Sequence, residues 1–390
     1  MDDKKRTIKP LPLIYYALPL LIIILIGIGD AVYLSISHYK NYKDISYHSF
    51  CALSNAINCD TVSQSRYSIF LNIPVPIWGV AGYLFYLFIF GAALISSKKN
   101  KLWCVQCVLG ILFTIYGIIL ALISNFLIHS YCIMCILSYF VNMLLAFYPW
   151  VIFQRFKQHN LLSSLKIDFI YLYKNKRVRF GIIFFGICII TILALFPKYW
   201  KYSVNNSNQN IKTGLTSDYS PWIGQDNKPV LIINEYSDYM CFQCRKMHQY
   251  LRLLIDQCPE KIMLIHYNYP LDNNFNPMIT TKSFHVGAGK LALIAIAAYS
   301  EKNFWEINDK LYQISQLRGG YSIISISKIT GMKPEKIALA LKSQVVKKKL
   351  AFDIRKGMKY RITGTPSYVI DGKVYQGTIP GEIINRVFEK

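Results

Sequence analysis

Charged side chains are scarce in this chain, at 17% of 390 residues, and acidic ones especially so: 21 Asp and Glu stand against 44 Lys and Arg. With a mean hydropathy of +0.28, that shortage excludes a single soluble domain. No internal repeat occurs, so a repeat architecture is excluded as well. Histidine is rare too, at 7 residues. His48, His129 and His248 each stand alone beside a cysteine pair, whereas a closed zinc site needs four ligands. No metal is expected. No small-residue cleavage site follows the first apolar run, so that run reads as a retained helix and not a cleaved signal.

What the chain does have is long apolar runs. A spanning helix needs about 20 apolar residues. Five runs qualify: Leu11 to Ser37, Pro76 to Ile95, Leu102 to Ile128, Tyr131 to Phe153, and Phe180 to Phe196. Lysine and arginine in the short connections set the orientation. Lys4, Lys5, Arg6 and Lys9 precede the first run, and Lys98, Lys99 and Lys101 separate the second from the third. Arg155, Lys157, Lys166, Lys174, Lys176, Arg177 and Arg179 lie between the fourth and fifth. The stretch from His38 to Val75 has only Lys40, Lys43 and Arg66, and the turn His129-Ser130 has none. The N-terminus is therefore expected in the cytoplasm and everything after Phe196 outside. The net charge of +23 is partly this asymmetry and partly a basic external surface. Nucleic acid is not an expected partner.

Residues 199–222, with Asn205, Asn206, Ser207, Asn208 and Asn210, read as a polar tether. Order then begins. Val230 to Tyr236 and Lys261 to Asn268 read as strands, with a helix from Arg245 to Asp256 between them. A helical stretch fills roughly 286–358, broken and restarted at Gly331 and Pro334. Tyr368 to Ile370 and Lys373 to Gln376 flank Asp371-Gly372, a hairpin signal. Gly381 to Glu389 reads as a final helix. This is an α/β layout with a helical insert.

Of 10 cysteines, most fall into close pairs: Cys51 with Cys59, Cys104 with Cys107, Cys132 with Cys135, and Cys241 with Cys244. Cys241 follows a strand and opens a helix, where the helix dipole favours a thiolate. The thiolate is the attacking species in disulfide exchange. Glu235, at the end of the preceding strand, can relay the proton of a buried Cys244, or be a solvated strand-end charge. Gly364-Thr365-Pro366 precedes the hairpin, and its proline is either cis or an ordinary loop proline. Cys132 and Cys135 share one face at the external start of the fourth span. Cys51 and Cys59 lie in the long external loop before the second. Each of these two pairs reads as a redox pair or as a static disulfide. Asp30, inside the first span, is either functional or an acid reaching the interface. Cys104 and Cys107 fall at the cytoplasmic end of the third span, where thiols stay reduced, and read as packing residues. Cys188 reads as lipid- or core-facing and Cys258 as buried packing.

Residues 223–390 resemble the thioredoxin superfamily in its DsbA-type branch, through Glu235, Ser237-Asp238-Tyr239, Cys241, Cys244, Thr365 and Pro366. The resemblance implies an exposed, attacking Cys241, a resolving Cys244 and a cis Pro366 facing them. The dipeptide Phe242-Gln243 departs from the common proline-containing ones, which leaves the reduction potential open.

The stretch from Cys51 to Gly79, with Ser65, Trp78-Gly79, Cys132, Cys135 and Tyr139, resembles the vitamin K epoxide reductase family. Several bacterial members of that family look like this chain throughout. The resemblance implies a four-helix core over residues 1–155, a loop and fifth span over 156–198, and the tethered domain after residue 222. The expected fold is thus a membrane α-helical bundle joined to an α/β thioredoxin-like domain. The resemblance makes Cys51 and Cys59 a shuttle, Cys132 its acceptor, and Cys135 the neighbour of a quinone bordered by Ser65 and Tyr139, with Asp30 nearby. The expected activity is disulfide formation in exported proteins, with ubiquinone or menaquinone from the bacterial cytoplasmic membrane as electron acceptor. Two rivals remain: a tethered reductase or isomerase fed from the cytoplasm, for which Cys104 and Cys107 speak, and a non-enzymatic chaperone.

Overall fold

The computed structural model describes residues 11–45, 47, 49–51, 57–96, 102–128, 130–156, 160–200, 211–279, 285–299, 303–314 and 321–389. His48, His129, the basic residues before residue 11 and at 98–101, and Asn205 to Asn210 of the tether lie outside them. The chain divides after Tyr199 into two compact units.

The first unit is helical: α1 (Ile14–Lys43), α2 (Cys59–Gln64), α3 (Val75–Ile95), α4 (Trp103–Ile123, continued by a π turn Ser124–Ile128), α5 (Ile133–Phe156), α6 (Leu161–Lys174) and α7 (Lys176–Leu195). Two short strands, β1 (Ile69–Phe70) and β2 (Ile73–Pro74), pair before α3. Among the described residues five helices are long and apolar enough to cross a membrane. They match the five expected runs with shifted ends. The largest shift is at α1, which continues past Ser37 to Lys43 because Ser37, His38 and Asn41 are buried rather than solvated. Asp30 therefore lies well inside the helix.

Each of the four core helices buries one stripe and exposes apolar side chains on the other, as a bilayer-facing bundle does. Leu20 and Ile24 of α1, Tyr86 of α3, Trp103 of α4, and Leu145 and Ile152 of α5 share the core. Helices α4 and α5 come close at Gly110, where an added Cβ would collide with the Leu145 carbonyl; small residues permit such backbone contact. Helix α7 stands outside this core, with Val178 alone buried, and leans on α3 through Phe185 and Phe85.

Helix α6 was not legible in the sequence, which reads this stretch as a loop. Its buried Asp168 accepts the amides of Leu102 at 2.8 Å and Val105 at 3.3 Å. Leu102, at the start of α4, has no side chain that can cap a helix, so α6 supplies the carboxylate that the dipole favours. Cys104 and Cys107 are buried just inside that end.

The second unit holds a six-stranded sheet in the order β3 (Thr213–Leu215), β4 (Pro221–Gly224), β6 (Ile262–Asn268), β5 (Leu231–Ser237), β7 (Ser367–Ile370), β8 (Lys373–Gln376). Only β5 and β6 pair in parallel, joined through α8 (Phe242–Gln257). Between β6 and β7 come α9 (Ala288–Ala297), α10 (Phe304–Leu311), α11 (Ile323–Thr330), α12 (Pro334–Lys342) and α13 (Gln344–Lys359), and α14 (Gly381–Asn385) closes the chain. The insert and the hairpin stand as the sequence implied, and the final helix is shorter than the expected Gly381 to Glu389, ending at Asn385. Strands β3 and β4 are a correction: they occupy part of the 199–222 stretch read as a tether. The cause is Trp222 and Ile223, both buried on the sheet. Cys258 is a second correction, half-buried at the end of α8 and not fully packed.

Candidate functional site

In the first unit the loop before α3 is pinned in place by its own polar groups. The Asn58 side chain caps α2 by accepting the amides of Asp60 and Thr61. The Asp60 carboxylate accepts from Asn41 of α1 and from the Ser49 amide, each at 3.0 Å. The Asn58 amide donates to the Tyr131 carbonyl at 2.8 Å, beside a backbone bridge between Ile57 and Tyr131. Cys59 and Cys132 each follow a residue of that zipper, so the zipper sets them side by side. Cys51 and Cys59 form a disulfide. Cys51, Cys59 and Cys132 are buried as one cluster with Cys135 packed against it. Cys132 and Cys135 are free thiols, and the Cys135 amide donates to the Cys132 sulfur at 3.1 Å.

Cys59, Cys132 and Cys135 also line a cavity of about 360 Å³ with mostly apolar walls. Ser65, Trp78, Gly79 and Tyr139 line it too, with Tyr83 and Asn142 adding polar atoms. Asp30 does not line it. It is buried behind the wall, where the Ser138 hydroxyl donates to one carboxyl oxygen. Ser138 itself faces the cavity. The sequence reading missed His38 and Ser68, which also line it. No local motif marks either residue.

In the second unit Cys241 is the N-cap of α8, and its sulfur accepts the Cys244 amide at 3.2 Å. That cap starts the helix at Phe242, three residues before the expected Arg245. The Thr365–Pro366 bond is cis, and the Cys241 thiol donates to the Thr365 carbonyl at 3.5 Å. That cover corrects the expected exposure: Cys241 is only 6% exposed, against 0% for Cys244.

Burial pushes the Cys241 thiol up, but the hydrogen bond from Cys244, the charge of His285 and the Cys244 amide outweigh it and hold the thiol below its usual range. Burial and the neighbouring Cys241 push Cys244 well up. One cysteine is thus poised as a thiolate and its partner as a thiol. His285 was missed by the sequence reading, being far from Cys241 in the chain. It sits 2.9 Å from the Asp238 carboxylate. Burial lowers its affinity for a proton, yet Asp238 outweighs this and raises it to about 9. Asp238 in turn accepts the amides of Met240 and Leu271.

Behind Cys244 lies a buried polar network. Glu235 stands opposite His266 in the parallel β5–β6 register and accepts from it at 3.1 Å. His248, four residues beyond Cys244 on the same helix face, lies 3.4 Å from the same oxygen and 2.7 Å from Asp309. Arg252 also pairs with Asp309. Burial raises Glu235, but His248 and His266 outweigh it and hold the carboxyl at about 2. Glu235 is thus held as a carboxylate between His248 and His266. Among the described residues no group of three or more His, Cys, Asp or Glu is placed to hold a metal.

Comparison with known proteins follows the same division. A model of the vitamin K epoxide reductase family matches residues 18–150, and a thioredoxin model matches residues 216–390. A comparison with curated proteins returned no match. Among solved structures, a thioredoxin-like oxidoreductase from Silicibacter pomeroyi DSS-3 is 18% identical, with 44% of this chain and 91% of that one aligned at a TM-score of 0.35. Alpha-DsbA1 of Wolbachia pipientis is 15% identical over 45% of this chain and 93% of its own, also at 0.35. A periplasmic thioredoxin-like protein from Salmonella enterica serovar Typhimurium is 18% identical over 45% and 93%, at 0.34. Both matched families support thiol–disulfide oxidoreductase activity. The chain therefore carries a vitamin K epoxide reductase family domain joined to a thioredoxin-like domain, and it is a thiol–disulfide oxidoreductase.

Proposed function

We propose that this protein forms disulfides in exported proteins and passes the electrons to a quinone of the bacterial cytoplasmic membrane. The observation that carries the reading is the cluster of Cys51, Cys59, Cys132 and Cys135, of which the last three line an apolar cavity. The cavity suits a flat apolar ring: its volume falls in the usual ligand range, and Tyr139, Asn142 and Ser65 offer a few polar groups. A quinone held there, against Cys135, supplies a two-electron acceptor, either ubiquinone or menaquinone. The basic connections put the N-terminus in the cytoplasm and the thioredoxin-like domain outside.

The steps balance as exchanges. A client thiolate attacks Cys241 in the Cys241–Cys244 disulfide, expelling the Cys244 sulfur. The second client thiolate then displaces Cys241, leaving the client oxidised and the pair reduced. A thiolate is a better leaving group at low pKa, and the charge of His285 favours that release from Cys241. Pro366, beside Thr365, borders the incoming chain. Reduced Cys241 and Cys244 then open Cys51–Cys59, and Cys59 attacks Cys132 to break a Cys132–Cys135 bond. Cys51 then attacks Cys59 and expels Cys132, which re-forms Cys51–Cys59, and the reduced Cys132 and Cys135 are reoxidised at the cavity. Glu235 and His248 hold or accept the Cys244 proton, and Asp30 fixes Ser138 in the cavity wall through its hydroxyl.

The opposite electron flow would draw on Cys104 and Cys107. Both are buried within the helix core under α6 and outside the four-cysteine cluster, so nothing in the geometry favours it. The test is oxidation of a reduced peptide by the purified full chain with added quinone. Quinol should form one for one with peptide disulfide and stop with Cys135→Ala. Peptide oxidation that ignores quinone would overturn the reading.

A further inference from the structure

Each turnover of the proposed reaction removes two protons and two electrons from a client dithiol. The electrons cross by sulfur exchange, in which thiolates attack, so the protons stay outside. Making a quinol requires two protons at the buried cavity, and exchange by thiolates does not carry them there.

A hydrogen-bonded chain leads there. His38 is 1% exposed and lines the cavity with Ser68. Its Nδ1 lies 2.8 Å from the Tyr199 hydroxyl and its Nε2 3.2 Å from Ser68 Oγ. The Ser68 hydroxyl donates to the Ser65 carbonyl at 2.8 Å. A serine has one hydrogen, so Ser68 can only accept from His38. Nε2 therefore carries the ring proton, Nδ1 is bare, and Tyr199 donates to it. All three donors point the same way, from Tyr199 toward the cavity wall. Tyr199 is half-buried just beyond α7, its ring held against Tyr39, Tyr42 and Phe196.

We propose that Tyr199, His38 and Ser68 form the proton route from the external side to the cavity; this rests on the quinone reading above. In one pass Tyr199 gives its proton to Nδ1, Nε2 gives its proton to Ser68, and Ser68 turns its own proton from the Ser65 carbonyl to the quinone oxygen in the cavity. Tyr199 takes a proton from external water, and transfer of the ring proton from Nδ1 to Nε2 restores the first tautomer. Two passes deliver the two protons of a turnover.

The first test needs no quinone. Nitrogen-15 NMR of the full chain in detergent, with His38 assigned by His38→Gln, should show Nε2 protonated and Nδ1 bare. Protonation at Nδ1, or at both nitrogens, would overturn the route. The second test is a single turnover of the full chain starting from reduced Cys241 and Cys244, so that the electrons reach Cys132 and Cys135 by exchange. Tyr199→Phe keeps the ring but removes the proton, and should slow quinol formation at least about tenfold, the low side of what positioned proton transfer contributes. Ser68→Ala should do the same. Exchange between Cys241–Cys244 and Cys51–Cys59 should run at the wild-type rate in both variants, which shows that they fold. Wild-type quinol rates in both would overturn the route alone. A wild-type protein that forms no quinol would overturn the quinone reading and this route with it.

Discussion

Asp238 and His285 meet at 2.9 Å beside the first cysteine of the thioredoxin-like unit. The Cys241 dipeptide, Phe242-Gln243, holds no charge of its own. A residue from a distant loop supplies it instead.

Replacing His285 with Gln should therefore raise the Cys241 thiol pKa. Loss of a screened charge contact of roughly 1 kcal/mol corresponds to a roughly fivefold slower alkylation at neutral pH. Alkylation rate against pH checks this. An unchanged profile would show that the helix terminus alone sets the acidity.

The same charges set how stability depends on pH. Glu235 is held at about 2 in the folded chain, below its unfolded value of about 4.3. Its contribution is present above the unfolded value and is lost as pH falls toward 2. His285 is raised to about 9, above its unfolded value of about 6.5. Its contribution is present below that value and is lost as pH rises through 9. Thermal unfolding followed against pH should lose stability on both limbs. Glu235→Gln should flatten the acid limb and His285→Gln the alkaline one.

Gly110 should tolerate no side chain. Its Cβ would collide with the Leu145 carbonyl, so Gly110→Val must part α4 from α5. Overpacking of this kind costs about 1–3 kcal/mol. A lower thermal midpoint for the full chain in detergent checks it, with Gly91→Val, where the space is open, as the comparison.

The five spans and the cysteine pairs were legible because their signals are local: an apolar run or a short spacing carries each. The β5–α8–β6 unit was legible for the same reason. Helix α6 was not, because its 14 residues are too short and too mixed to read as a span. Its role depends on Asp168 reaching the start of another helix. Strands β3 and β4 hid in a polar stretch, and only the burial of Trp222 reveals them. The wall of the cavity draws on α1, the loop before α3, and helices α3 to α5, so His38 and Ser68 become neighbours only once the helices pack. His285 is the same case in the second unit. Glu235 and His266 lie between these extremes, since the strands were legible but their register was not.

The redox state of Cys241 and Cys244 in living cells tests the central claim most directly. Trapping thiols with acid and then labelling them separates the two states. The account predicts a mostly oxidised pair in the wild type that becomes mostly reduced when Cys135 is replaced by Ala. A pair that is mostly reduced in the wild type, and indifferent to Cys135, would contradict it.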